Sequence, residues 1–169
     1  MRIVGIDPGS ERTGYAIIDS DGSRHRALRY GVIAAGRRVP FPKRLEKIYS
    51  ELTSILRRSR AEVMAIEEVF YALNVQSALK LGHARGIALL VAARLDIPVA
   101  EYSPLEIKNS IVGYGRAGKH QVLAMVRVLL GLPSGPLAAD AADALAVAIC
   151  HGHHMAREAM SGRREGIRS

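Results

Sequence analysis

Three strand-like blocks of hydrophobic and polar positions follow one another at the start of the chain. Residues 2–6 are an apolar run that stops at Asp7-Pro8-Gly9, the pattern of a buried strand entering a turn. Residues 13–19 form a second strand-like block, Asp21-Gly22 is a turn dipeptide, and a third block covers residues 26–35. Short links between three such blocks predict an antiparallel meander. The period then changes. Pro42 opens a segment in which Leu45, Ile48, Tyr49, Leu52, Ile55 and Leu56 recur at helical spacing. Residues 62–69 return to strand character, and a strand that follows a helix joins its sheet by a crossover.

The second half repeats this exchange. A long helix is predicted over residues 74–95, with Gly82 and Gly86 one turn apart inside it. Their missing side chains permit close approach of a neighbour, either the sheet or a partner subunit. Residues 97–102 read as a fifth strand and residues 104–112 as a short helix, followed by the glycine-rich loop 113–118. Val122, Met125, Val126, Leu129 and Leu130 mark another helix, and residues 138–150 an alanine-rich one. The order βββ-α-β-α-β-α predicts an α/β domain with a mixed five-stranded sheet flanked by helices. That domain is expected to span residues 1–152. Residues 153–169, polar and basic, are expected to be a poorly ordered tail. His151, His153 and His154 are read as surface histidines in or beside that tail, rather than as a metal cluster.

Composition narrows the class. With 49% hydrophobic residues in a 169-residue chain, a real core can be buried, which excludes a disordered chain. Lys and Arg total 24 against 16 Asp and Glu, a formal charge of +8 that suits a polyanionic partner such as nucleic acid. Cys150 is the only cysteine, so neither an internal disulfide nor a cysteine zinc site is available. The opening apolar stretch is too short for a signal peptide, and no run is long enough to span a membrane. A cytoplasmic protein is expected.

Four acids stand where acids are awkward. Asp7 ends an apolar strand, Glu67 follows Ala65-Ile66, and Asp140 and Asp143 share one face of the alanine-rich helix. Gathering buried carboxylates is costly unless cations neutralise them, and an all-oxygen set suits Mg²⁺ or Mn²⁺. Taken singly, each acid also has an ordinary explanation: a turn at Asp7, a solvent-facing strand end at Glu67 and Glu68, a helix N-terminus at Asp140. Spacing alone does not bring the four together.

The residues around them carry a resemblance. Gly5-Ile6-Asp7-Pro8-Gly9-Ser10 with Thr13-Gly14-Tyr15, then Ala65-Ile66-Glu67-Glu68-Val69-Phe70, then the ten residues 77–86, then Ala139-Asp140-Ala141-Ala142-Asp143-Ala144-Leu145-Ala146 resemble the RuvC Holliday-junction resolvases. The four blocks occur in order across nearly the whole chain, to about His151. The resemblance implies a ribonuclease-H-like fold and a homodimer. It implies an endonuclease that resolves Holliday junctions in DNA recombination and repair by paired symmetric nicks, leaving 5′-phosphate and 3′-hydroxyl ends. It places two Mg²⁺ ions per subunit, replaceable by Mn²⁺, on Asp7, Glu67, Asp140 and Asp143, with Glu68 outside the set. Phe70 matches an aromatic that meets junction bases, and Asn74, Lys80, Arg85, Lys108 and Lys119 are candidate DNA contacts. Residues 71–74 depart from the family's pattern, which often has a lysine before the Asn. A branch-migration helicase of the RuvA and RuvB type is the implied partner.

Three rivals compete. The opening motif is also similar to the phosphate loop of sugar kinases and actin-like ATPases, which need two such domains. A ribonuclease-H-like RNA-processing nuclease would share the fold. A non-catalytic junction-binding protein would share the basic charge but has no use for four acids.

Overall fold

The computed structural model describes residues 1–68 and 75–165. Strands β1 (Arg2–Asp7), β2 (Arg12–Ser20) and β3 (His25–Ala34) form the meander. Helix α1 (Phe41–Ser59) leads to β4 (Val63–Glu67), and α2 (Val75–Arg94) leads to β5 (Val99–Tyr102). Helices α3 (Pro104–Val112), α4 (Lys119–Leu130) and α5 (Ala139–Glu165) complete the chain. The sheet order is β3-β2-β1-β4-β5, with β4 parallel to β1 and β5 parallel to β4. The expected mixed five-stranded sheet is what forms.

The period of two along each strand sorts the core into two layers. Val4, Ile6, Tyr15, Ile17, Met64 and Ile66 face α1 and α2, whose buried sides are Ile48, Leu52, Ile55 and Leu56, and Ala84, Ala88, Val91 and Ala92. Ile3, Ala16, Ile18, Val63, Ala65 and Tyr102 face α3, α4 and α5. The same alternation puts Asp7 and Glu67, in phase with Ile3 and Val63, on the α5 face.

Helix ends are chemically marked. At α3, Glu106 N donates to Ser103 Oγ at 3.2 Å and Ser103 N donates to Glu106 Oε2 at 2.8 Å, a reciprocal cap in front of Pro104. Gly113 closes α3 at φ 90°, a left-handed position that favours glycine.

Helix α5 lies close on the sheet because both surfaces are small there. A Cβ at Gly5 would sit 2.1 Å from Ala144 O, and one at Gly14 would sit 1.9 Å from Asp140 O. At the other end of the helix, Gly22 and Gly152 fit against Ala156 and Ser20 respectively. These contacts correct the expected boundary: α5 does not stop near Cys150 but continues to Glu165, so residues 153–165 of the expected tail are helix. Met155, Ala156 and Arg157 favour helix, and packing on the β2–β3 turn holds it there.

The histidines are corrected with it. His151, His153 and His154 are half-buried on α5 rather than free at the surface. His151 Nδ1 is 2.7 Å from the Tyr102 hydroxyl. His153 Nδ1 lies 3.0 Å from Ser110 Oγ and 3.1 Å from Ser110 O. His25 on β3 is buried, 2.9 Å from Ser20 Oγ and edge-on to His153 at 4.8 Å.

Burial and the neighbouring His153 lower the His25 pKa to about 4, against Asp21, which acts in the opposite direction. A folded value below the ordinary 6.5 favours neutral imidazole. Its contribution is therefore complete above pH 6.5 and is lost as pH falls towards 4. Between pH 7 and 4.5 the wild type should lose about 2 kcal/mol more stability than His25→Gln. Urea unfolding of both proteins at the two pH values checks this, and equal losses would remove His25 as the cause.

Candidate metal centre and nucleic-acid interface

Parallel pairing of Ile6 with Ile66 sets Asp7 and Glu67 side by side at the C-terminal ends of β1 and β4. Glu68 points elsewhere in the strand period, and its backbone N–H donates to Tyr102 O at 2.8 Å. The close seat of α5 on Gly5 and Gly14 brings the first turns of that helix, with Asp140 and Asp143, over the same strand ends.

Electrostatics show the four acids sharing one region. The Asp7 carboxyl is pushed up to about 7, first by burial and then by Asp143, Glu67 and Asp140, while Lys119 opposes the rise. Glu67 is raised by burial and by Asp143, with Lys119 and Lys108 opposing. Asp143 is raised by burial against the pull of Lys119, whose Nζ lies 4.0 Å from Asp143 Oδ2. A centre in which Asp7, Glu67 and Asp143 resist ionisation, first through burial and then through neighbouring acids, is chemically suited to a hard divalent cation. The donors are all carboxylate oxygens, which fits Mg²⁺ or Mn²⁺ better than zinc. Among the described residues, no three His, Cys, Asp or Glu side chains already stand as the ligand set of one ion. Asp140 is engaged elsewhere: its Oδ2 accepts from Arg12 Nε at 2.7 Å.

A cavity of about 220 Å³ opens beside the acids. Glu67, Asp143, Lys108 and Lys119 form its polar wall, and Ile107, Val122 and Val147 its apolar one. Both lysines expected near DNA are thus at the acids. Lys80 lies apart from this cavity, in an open groove of about 440 Å³ shared with Gly9, Ser10, Arg12 and Arg37. Arg85 joins neither. It pairs with Glu101 of β5, a partner that only the fold supplies. Phe70 and Asn74 lie outside the described residues. Arg12 is the charged neighbour that sequence reasoning missed, because nothing in the chain links residue 12 to residue 140.

The fold and its acid cluster define a ribonuclease-H-like nuclease domain. The family model described as "Crossover junction endodeoxyribonuclease RuvC" matches residues 3–151. Among curated proteins, the chain is 52% identical over 154 residues to the crossover junction endodeoxyribonuclease RuvC of Koribacter versatilis, covering 90% of this chain and 93% of that one. It is 49% identical over 151 residues to the same enzyme of Magnetococcus marinus, covering 89% of this chain and 83% of that one. Among solved structures it is similar to Thermus thermophilus RuvC in complex with Holliday junction substrate, at TM-score 0.87 and 33% identity over 92% of this chain and 94% of that one. The chain therefore belongs to the RuvC family of crossover junction endodeoxyribonucleases, which are metal-dependent nucleases.

Proposed function

We propose that this protein resolves Holliday junctions by paired, symmetric phosphodiester hydrolysis, with Asp7, Glu67, Asp140 and Asp143 as its metal ligands. The observation that carries this reading is the meeting of four acids at one place: Asp7 and Glu67 side by side at the C-terminal ends of β1 and β4, with Asp140 and Asp143 brought over them by α5. Such an arrangement costs stability and returns it only when a cation binds. Two Mg²⁺ ions, for which Mn²⁺ can substitute, supply water activation and stabilisation of charge on the phosphate oxygens. Asp7 from β1, Glu67 from β4, and Asp140 and Asp143 from α5 would hold the ions.

Lys119 and Lys108 stand on the same cavity wall as Glu67 and Asp143, placed to hold the scissile phosphate against acids that would otherwise repel it. Lys80 contacts the strand from the neighbouring groove. Phe70 keeps its assignment to DNA by its match to the family, and Asn74 and Arg85 are candidate contacts, Arg85 only where it leaves Glu101. Hydrolysis leaves 5′-phosphate and 3′-hydroxyl ends that a ligase can join.

A homodimer presents two such centres to a junction of matching symmetry. Helix α2 supports that assembly. Gly82 and Gly86 are exposed, a Cβ on either would meet nothing within 4 Å, and Val75, Leu79 and Leu90 are exposed apolar residues on the same helix. Among the described residues nothing fills the approach at these glycines, which leaves it open to a partner subunit. The nuclease core is residues 1–152, extended by the last turns of α5. No helix among the described residues is long and apolar enough to cross a membrane. A cytoplasmic location and a helicase partner of the RuvA and RuvB type belong to the same reading, supported by the resemblance to the family.

A synthetic four-way junction and a linear duplex of the same sequence, each with Mg²⁺ and with EDTA, test the reading. The junction should be nicked in Mg²⁺, with the duplex and both EDTA samples intact. Equal cutting of junction and duplex would remove the resolvase assignment. Binding without cutting would leave a junction-binding protein, and cutting of RNA in preference to the junction would leave an RNA-processing nuclease.

A further inference from the structure

Arg12 opens β2, two residues before Gly14, which pairs with Asp7 across β1 and β2. Its Nε donates to Asp140 Oδ2 at 2.7 Å, with the two side chains 54% and 28% exposed. The same side chain lines the groove shared with Gly9, Ser10, Arg37 and Lys80. Arg37 leans only loosely on Glu11, at 3.9 Å, and is largely exposed. One guanidinium thus stands between an acid of the metal centre and a basic groove on its flank.

Asp140 cannot serve both partners at full strength. A guanidinium bound to its carboxylate occupies an oxygen that a cation would use, and its positive charge opposes a second cation nearby. A phosphodiester competes well for that guanidinium, because two of its oxygens match the planar fork that a single Nε contact leaves partly unused. Arg37 and Lys80 add the charge that would bring a phosphate into the groove.

We propose that Arg12 is a positioning residue that couples DNA to metal. In the free protein it holds Asp140 away from the metal centre. A substrate phosphodiester seated between Arg12, Arg37 and Lys80 draws it off and releases Asp140 to the cation. The centre is then completed on substrate rather than in solution, and by reciprocity bound metal strengthens the hold on DNA. This inference rests on the metal reading given above.

Mn²⁺ titration of the DNA-free full chain, followed by electron paramagnetic resonance of the free ion, tests the first half. An exposed ion pair is worth little, so Arg12→Gln should bind Mn²⁺ about three- to tenfold more tightly than wild type. Arg37→Gln removes a charge from the same groove without touching Asp140 and should change Mn²⁺ affinity by less than about twofold. Junction binding in EDTA tests the second half: Arg12→Gln should lower the slope of log affinity against log salt by about one.

Unchanged Mn²⁺ affinity in Arg12→Gln, with Asp7→Asn still abolishing binding, would overturn the inference and leave the metal centre standing. Equal gains in Arg12→Gln and Arg37→Gln would reduce the effect to net charge and also overturn it. An unchanged salt slope would remove the phosphate from the account. Mn²⁺ binding that ignores Asp7→Asn would sink the metal reading itself, and the coupling with it.

Discussion

Asp7→Asn should lower junction cleavage by about a thousandfold or more while making the metal-free protein more stable. The first effect follows from the place of Asp7 at the centre of the acids. A metal centre contributes several kcal/mol of transition-state stabilisation, and each ~1.4 kcal/mol lost is tenfold in rate. Asparagine keeps the shape but cannot supply the charge. Junction binding should persist, because the lysines and the groove are untouched.

The second effect follows from the direction of the Asp7 shift. Its folded pKa of about 7 lies above the ordinary 3.8, so the fold resists ionisation of this group. The penalty is absent below pH 4, grows as pH rises, and is complete above pH 7. At pH 8 in EDTA, Asp7→Asn should gain about 2–4 kcal/mol over wild type, and at pH 4 almost nothing. Urea unfolding at both pH values reads this, alongside a cleavage assay in Mg²⁺. A variant that loses cleavage and stability together would make Asp7 a structural residue. One that keeps cleavage would end its role as a ligand.

The meander was legible because each strand is a short strand-like block and Asp21-Gly22 marks the turn between the second and third. Helix α1 was legible from its apolar spacing. The end of α5 was not. His151-Gly152-His153 looks like a helix stop, and only the packing of Gly152 against Ser20 and His25, and of Ala156 against Gly22, turns it into continuing helix. Tertiary contact overrides local preference there.

The identity of the four acids was carried by the motifs around them. Their convergence was not, because it depends on β1–β4 register and on the depth at which α5 seats, neither of which is written at the acids themselves. The charged residues show the same limit. Lys108 and Lys119 fell at the site, whereas Arg85 looked equally available until β5 brought Glu101 to it. Arg12 escaped notice because its partner is 128 residues away.

That seating depth makes Gly14 the residue whose smallest change should do the most at a distance from the chemistry. Gly14 pairs with Asp7 in the β1–β2 register, and α5 crosses directly above it. An added Cβ would lie 1.9 Å from Asp140 O, 2.5 Å from Asp140 C and 3.2 Å from Asp140 Cβ. The first two contacts are with backbone, so no side-chain rotation relieves them. The N-terminal turn of α5 must lift or β2 must sink. Overpacking of this kind costs about 1–3 kcal/mol, or a Tm lower by about 2–12 °C for a chain of this size.

Cleavage should suffer more than stability. Asp140 and Asp143 ride on the displaced turn, and a misplacement of about 1 Å in a catalytic centre costs about a hundredfold in rate. Gly5→Ala makes a useful companion, since its Cβ would strike Ala144 O at 2.1 Å, beyond both acids along α5. Both variants should lose thermal stability in a melting assay. Gly14→Ala should lose the larger share of junction cleavage at a temperature where each is folded. If Gly14→Ala instead kept the wild-type Tm and rate, α5 would not rest on β2 at this depth, and the convergence of Asp140 and Asp143 on Asp7 would need another cause.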